Sequence, residues 1–203
     1  MPQITPLDPR PRARKLQDHA LSDLRFIRQT MERAGVFTAV PGWGTVIVGA
    51  TALAAAFYAS RETSAAMWLA VWSVEALAAL VIGLASMAHK SRMAEVPLFS
   101  LTGRRFALSF SLPLVAAAIL TVALFRAGLT ALLPGTWLVL YGTAFVSGGA
   151  FSVPVIRVMG FCFMAIGVVA LFALPAWGNA LMALSFGGVH IVFGLVIARR
   201  YGG

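Results

Sequence analysis

Six stretches of this chain are each about 20 residues long and nearly free of charge, the length an α-helix needs to cross the hydrocarbon of a bilayer. They fall at about 41–60, 64–88, 106–125, 135–152, 155–174 and 179–198. In lipid every backbone N–H and C=O must be satisfied within the segment, so runs of this kind have to be helical. Of the 203 residues 60% are hydrophobic and 11% charged, against about 45–50% and about 25% in soluble domains. One water-soluble globule cannot hide that excess. The expected fold is an all-α polytopic membrane bundle over 36–203, preceded by a basic N-terminal segment, 1–35.

Local signals set the limits of the spans. Pro41 suits a first helical position. Arg61, Glu62 and Thr63 read as a tight polar turn, and His89–Arg105, with Lys90, Arg92, Arg104 and Arg105, as a longer polar loop. Pro113 is expected to kink the third span, and Pro154 to end the fourth. The last turn holds Pro175, Trp177 and Gly178, and the sixth span stops at Arg199 and Arg200.

Residues 1–15 are rich in proline and arginine. From 16 to 33 the pattern becomes helical, with Leu16, Ala20, Leu24, Ile27 and Met31 on one face. Such an amphipathic helix suits the membrane interface or a protein partner.

The net charge of +9 raises nucleic acid as a partner, and its distribution argues against one. Basic residues cluster between apolar runs instead of building one continuous surface. With the N-terminus inside, fourteen of the 16 Lys and Arg lie on the cytoplasmic side, leaving Arg61 and Arg126 outside. The positive-inside rule therefore puts both termini in the cytoplasm, and it brings Trp68, Trp137 and Trp177 to the outer interface. Cys162 is the single cysteine, so no intrachain disulfide can form.

Within the spans lie one acidic residue, Glu75, and one histidine, His190. At ~1.5 Å rise per residue each sits roughly 16 Å from the outer end of its helix. They share a depth, and would face one another if the second and sixth spans pack together. Carboxylate–histidine arrangements of this kind carry protons in membrane proteins. The competing reading is a single interhelical hydrogen bond at each, without transport chemistry. Gly187 and Gly194 flank His190 on its own face and allow close helix approach. Gly148 and Gly149 mark the fourth span as a tightly packed or distorted helix.

Other chemistry is not signalled. Met159 and Cys162 in MGFCFM share a helix face, but Met164 points elsewhere, so the string reads as packing and no metal is expected. There is no phosphate-binding glycine loop, zinc spacing or nucleophile elbow, so neither an enzyme nor a cofactor is implied. Leu133-Pro134 with Trp137 and Gly148-Gly149 echoes Leu174-Pro175 with Trp177 and Gly187-Gly188, as parallel repeats of spans 3–4 and 5–6 would.

The string Val40-Pro41-Gly42-Trp43-Gly44 and the tail from His190 to Gly203 resemble small multi-pass bacterial membrane proteins with no assigned function. That resemblance covers most of the chain and implies class and topology, but no activity; the expected location is a bacterial inner membrane. Two functions stay open. One is a small-solute or ion permease, proton-coupled through Glu75 and His190; six helices are few for an independent transporter core, which favours a homo-oligomer. The other is a membrane-bound interaction protein, a subunit, assembly factor or sensor partner, working through its N-terminal helix.

Overall fold

The computed structural model describes residues 19, 21–24, 35, 37–93 and 100–201. Residue contacts divide the chain into two units, Met1–Gly35 and Val36–Gly203. The amphipathic helix expected over 16–33 lies almost wholly outside the described residues; His19 and residues 21–24, which are described, are helical.

The second unit is an all-α bundle. Its helices are α1 (Gly42–Ala59), α2 (Ala65–Met93), α3 (Leu101–Arg126), α4 (Leu133–Gly149), α5 (Pro154–Phe172) and α6 (Pro175–Tyr201). All six are long and apolar enough to cross a membrane, and the chain is a multi-pass integral membrane protein. Within α6, a 3-10 turn at Pro175–Trp177 leads into α-helix at Gly178–Met182. A π-helical turn follows at Ala183–Val189, and α-helix resumes from His190.

The segment 89–105 corrects the loop reading, because α2 continues to Met93 and α3 already begins at Leu101. Polarity marks where lipid ends, not where a helix ends. Lys90 and Arg92 sit in the last turn of α2, where cations offset the negative end of the helix dipole. The Ser100 hydroxyl caps α3 by accepting from the Gly103 N–H at 3.1 Å, a role that hydropathy does not reveal. The helix runs on through Pro113. It ends in a Schellman motif, with Gly128 at φ +73° and the Leu129 N–H donating to the Leu124 carbonyl at 2.9 Å.

Two helix pairs form the inner structure. α4 packs on α5 and α1 packs on α6, while α2 leans on α1 and α3 leans on α4. Burial separates inner from outer helices. Of the most apolar stretch of each span, 6% is buried in α2 and none in α3, against 33–44% in the other four. The repeat suggested for spans 3–4 and 5–6 is not mirrored in this packing, since α5 has its principal neighbour in α4, not in α6.

Glycine at every seventh position makes both inner pairs possible. Seven residues are nearly two full turns, so such glycines share a face. On α4 they are Gly135, Gly142 and Gly149, and on α5 they are Gly160 and Gly167. A Cβ on Gly142 would lie 2.6 Å from the Gly160 carbonyl oxygen, and one on Gly167 would lie 2.7 Å from the Val139 nitrogen. Gly149 presses on the Arg157 side chain in the same seam, whereas Gly148 faces Phe106 and Phe110 of α3. The α1–α6 seam uses Gly42 and Gly49 against Gly187 and Gly194: a Cβ on Gly194 would fall 2.8 Å from the Val46 nitrogen, and one on Gly42 would collide with the backbone of Ala198. Inside lipid there is little hydrophobic drive for helices to meet, so this close approach and its dispersion contacts hold the pairs together.

The two ends of the bundle close differently. At one, Phe37 forms an isolated bridge with Ser152 and stacks on Phe106 at 4.9 Å. The Lys90 ammonium donates there to the carbonyls of Val40 and Tyr201, both at 2.9 Å. The opposite end carries the tryptophans described next.

Candidate functional site

His190 begins the α-helical segment that follows the π turn. The pair Gly187-Gly188 weakens local α preference, and the wider turn it permits re-aims the residues after it. Single π turns inside α-helices often coincide with functional positions. The His190 side chain is 2% exposed. Its Nε2 is 2.9 Å from the Tyr141 hydroxyl of α4. Phe163 lies edge-on at 5.1 Å, Phe145 edge-on at 6.2 Å, and Phe186 stacks at 6.1 Å. The Nδ1 edge lies toward the Phe186 and Ser185 carbonyls, but its geometry falls short of a hydrogen bond and leaves the atom unpartnered. Carbonyls only accept, so a neutral ring with its proton on Nδ1 suits that side and lets Tyr141 donate to Nε2.

Glu75 stands near the middle of α2, half-buried. Its Oε1 accepts from the Thr51 hydroxyl of α1 at 2.9 Å. Thr51 has one proton, and the Val48 carbonyl at 2.9 Å competes for it. The carboxylate therefore has, among the described residues, a single, interruptible neutral donor. Among the described residues no Lys, Arg or His pairs with it. It does interact electrostatically with the Tyr141 hydroxyl.

Glu75 and His190 are thus not bonded to one another. The glycine seam draws α6 onto α1, and α2 meets α6 through Trp68 and Trp72 instead of through Glu75. Tyr141 is hydrogen-bonded to His190 and interacts electrostatically with Glu75. The amino-acid sequence does not single out Tyr141. The available signal was a phenol hydroxyl in mid-span, which needs a polar partner when kept from water.

Toward the tryptophan end, α2 presents Trp72 and Trp68 one and two turns from Glu75 on the same face. Both indole N–H groups reach the Asn179 Oδ1 of α6, at 2.7 Å from Trp68 and 3.4 Å from Trp72. Trp68 stacks on Trp137 of α4 at 5.4 Å and 11°, and Trp137 donates to the Thr121 hydroxyl of α3 at 2.7 Å. These contacts tie four helices together above Glu75. Asn179→Ala should leave both indoles without that acceptor, at a cost of about 0.6–1.7 kcal/mol by the measure of interhelical bonds in membranes. Tryptophan emission would report the change as a shifted maximum; an unaltered spectrum and unfolding midpoint would mean the latch carries no weight.

Aromatic rings run on from there through the bundle. Trp72 meets Phe186 at 6.0 Å, Phe186 meets Tyr141 at 5.1 Å, and Tyr141 meets Phe110 at 6.3 Å. Phe110 stacks on Phe106, and Phe106 on Phe37, at the opposite end. This aromatic row holds the Tyr141 hydroxyl and the His190 imidazole among its rings, while the Glu75 carboxylate is held by Thr51 one turn from Trp72. Compared with protein-family models, curated proteins and solved structures, the chain matches none.

Proposed function

We propose that this chain is a small-solute or ion permease of the bacterial inner membrane, with both termini cytoplasmic, and that protonation of Glu75 drives its transport step. One observation carries the reading: a carboxylate at mid-span whose single partner among the described residues is a hydroxyl with a competing acceptor. A charged carboxylate at that depth costs about 2.5–3.5 kcal/mol, so without a cation it is held more cheaply as the neutral acid. Binding and release of a proton then switch the charge at the centre of the bundle. The Tyr141–His190 pair supports the same reading as a second polar group within electrostatic reach. α2 is thinly packed, leaning on α1 alone among its extensive contacts, and so is the element best placed to move when that charge changes.

The test is the current evoked across proteoliposome membranes by a panel of monovalent cations, amines, amino acids and sugars under an imposed pH gradient. At least one class should give a pH-dependent current. Glu75→Gln should reduce it at least about tenfold, and Glu75→Asp should keep part of it. A current indifferent to Glu75→Gln would overturn proton coupling at this residue.

The second reading, an interaction protein, draws on the outer faces of α2 and α3. Leu77, Leu80, Val81 and Leu84 on α2 and Leu112, Val115 and Ile119 on α3 are exposed, an apolar surface that suits lipid, a second copy or another membrane subunit equally well. Deleting residues 1–33 separates the two readings: a permease keeps its currents, whereas an interaction protein loses its partner.

A further inference from the structure

One end of the bundle collects cations that no described carboxylate balances. Phe37 and Phe106 stack there, and with Val153, Ile156 and Ile197 they belong to one apolar cluster. Arg105 adjoins Phe106 in the chain, with Arg104 beside it, and Arg157 adjoins Ile156. All three arginines are exposed, and among the described residues none takes part in a hydrogen bond or ion pair. The described carboxylates of the bundle stand elsewhere: Glu75 at mid-span, and Glu62 in the turn after α1, at the opposite end.

Their own helices do not balance these charges either. The other cations at this end, Lys90 and Arg92 of α2 and Arg199 and Arg200 of α6, lie in last turns, where the helix dipole favours positive charge. Arg104 and Arg157 each stand at the fourth position of a helix, counted from Leu101 and from Pro154, with Arg105 just after. There the dipole opposes a cation. Three guanidinium groups are thus set where an external anion is the missing compensation.

The three flank the end of α4. A Cβ on Gly148 would lie 3.2 Å from the Phe106 ring, and one on Gly149 would lie 2.7 Å from Cγ of Arg157. Successive residues point about 100° apart around a helix, so α3 and α5 meet adjoining sides of α4 here. Toward the middle of the bundle the same faces turn apolar. Leu108 and Leu112 follow Arg104 at steps of four, Phe161 follows Arg157 at the same step, and all three are exposed. Arginine at a span's end carries its charge out to headgroup level, and its planar fork matches phosphate oxygens. A cationic head above an exposed apolar stripe is complementary to a phospholipid along its length; a soluble anion would use the head alone.

We propose that Arg104, Arg105 and Arg157 bind the phosphate of an acidic phospholipid whose acyl chains lie along the outer faces of α3 and α5. The site is separate from Glu75 and independent of the transport reading. A lipid held there fastens the end of α3, whose most apolar stretch is not buried in the bundle at all, beside α5.

The test is native mass spectrometry of the full chain released from detergent micelles, titrated with dioleoyl phosphatidylglycerol or dioleoyl phosphatidylcholine, which share their tails and differ in net charge. Phosphatidylglycerol should bind at least about tenfold more tightly. Arg157→Gln should weaken it about fivefold, the effect of one arginine near an anionic lipid surface, and Arg104→Gln with Arg105→Gln about twenty-fivefold. Arg104→Lys, Arg105→Lys and Arg157→Lys together should keep part of the preference, because the charge stays and the fork is lost. Arg199→Gln with Arg200→Gln removes two charges from a last turn and should change binding less than about twofold. Unchanged phosphatidylcholine binding serves as the check that each variant is folded. Equal losses from the two glutamine pairs would mean a diffuse field and would overturn the site. Equal affinity for the two lipids would overturn it as well, and would leave the arginines to a soluble acidic partner. Glycerophosphoglycerol, the same headgroup without chains, should not displace the lipid at equal concentration; displacement would overturn the lipid assignment in favour of a free phosphate ligand.

Discussion

Replacing Gly142 by leucine should yield no folded bundle, and Gly142→Ala should lower the free energy of unfolding by about 1–3 kcal/mol, the usual penalty for overpacking. A Cβ at that position would meet the Gly160 carbonyl oxygen at 2.6 Å and the Met164 nitrogen at 2.7 Å. Both neighbours are backbone, which cannot rotate away. α4 and α5 would have to separate, and the dispersion contacts along their whole seam would weaken with distance. The proper comparison is Gly83→Ala on α2, where a Cβ meets nothing within 4 Å; there the change should be neutral or stabilising, as alanine for glycine is in an unobstructed helix. Unfolding in mixed micelles with rising dodecyl sulfate, followed by tryptophan emission, measures both. Equal midpoints for the two alanine variants would refute the seam as the source of cohesion.

The second large effect is expected at the Tyr141–His190 pair. Tyr141→Phe removes the hydroxyl 2.9 Å from Nε2 and leaves a buried imidazole with neither nitrogen satisfied, since Nδ1 already lacks a partner. In water-soluble proteins such an orphan costs about 1–3 kcal/mol, whereas interhelical hydrogen bonds in membranes average about 0.6 and reach about 1.7 kcal/mol. Full burial among four aromatic rings places this pair at the upper end of the membrane range. Adding His190→Leu to Tyr141→Phe should recover most of the loss, because removing both polar partners leaves nothing unsatisfied. A double mutant as unstable as the sum of the two single changes would mean that ring packing, not the hydrogen bond, holds His190. Protein that stays stable but loses its pH-dependent currents would assign the pair to the transport step.

Residues near the middle of the spans illustrate how far one sequence carries. Glu75 and His190 stand out because a polar side chain in an apolar run is visible without knowing its neighbours. Tyr141 is as central to the site, yet a tyrosine in a hydrophobic helix reads as bulk until its hydroxyl has a partner. By hydropathy Asn179 is simply the start of the sixth span, and its role as shared acceptor for Trp68 and Trp72 depends on α2 and α6 meeting at that end. The π turn before His190 leaves no periodic trace of its own. The glycines at 187 and 194 were legible as small residues on one face, and their counterparts Gly42 and Gly49 became meaningful once α1 lay against them.

Sequence alone determined that the chain is a six-span helical membrane protein, and roughly where each span lies. That follows from one local requirement: every backbone polar group in lipid must be satisfied within its own segment, and about 20 apolar residues are needed to cross. It also determined that a carboxylate and an imidazole share the bundle's mid-depth, since depth follows from rise per residue. The choice of helix partners belongs to the tertiary structure alone. Apolar faces are nearly interchangeable against lipid, so neighbours are decided by backbone approach at Gly42, Gly49, Gly142 and Gly160, which is a relation between surfaces and not a property of either. Those seams set α6 against α1 and α5 against α4, and the packing that follows gave Glu75 to Thr51 and His190 to Tyr141.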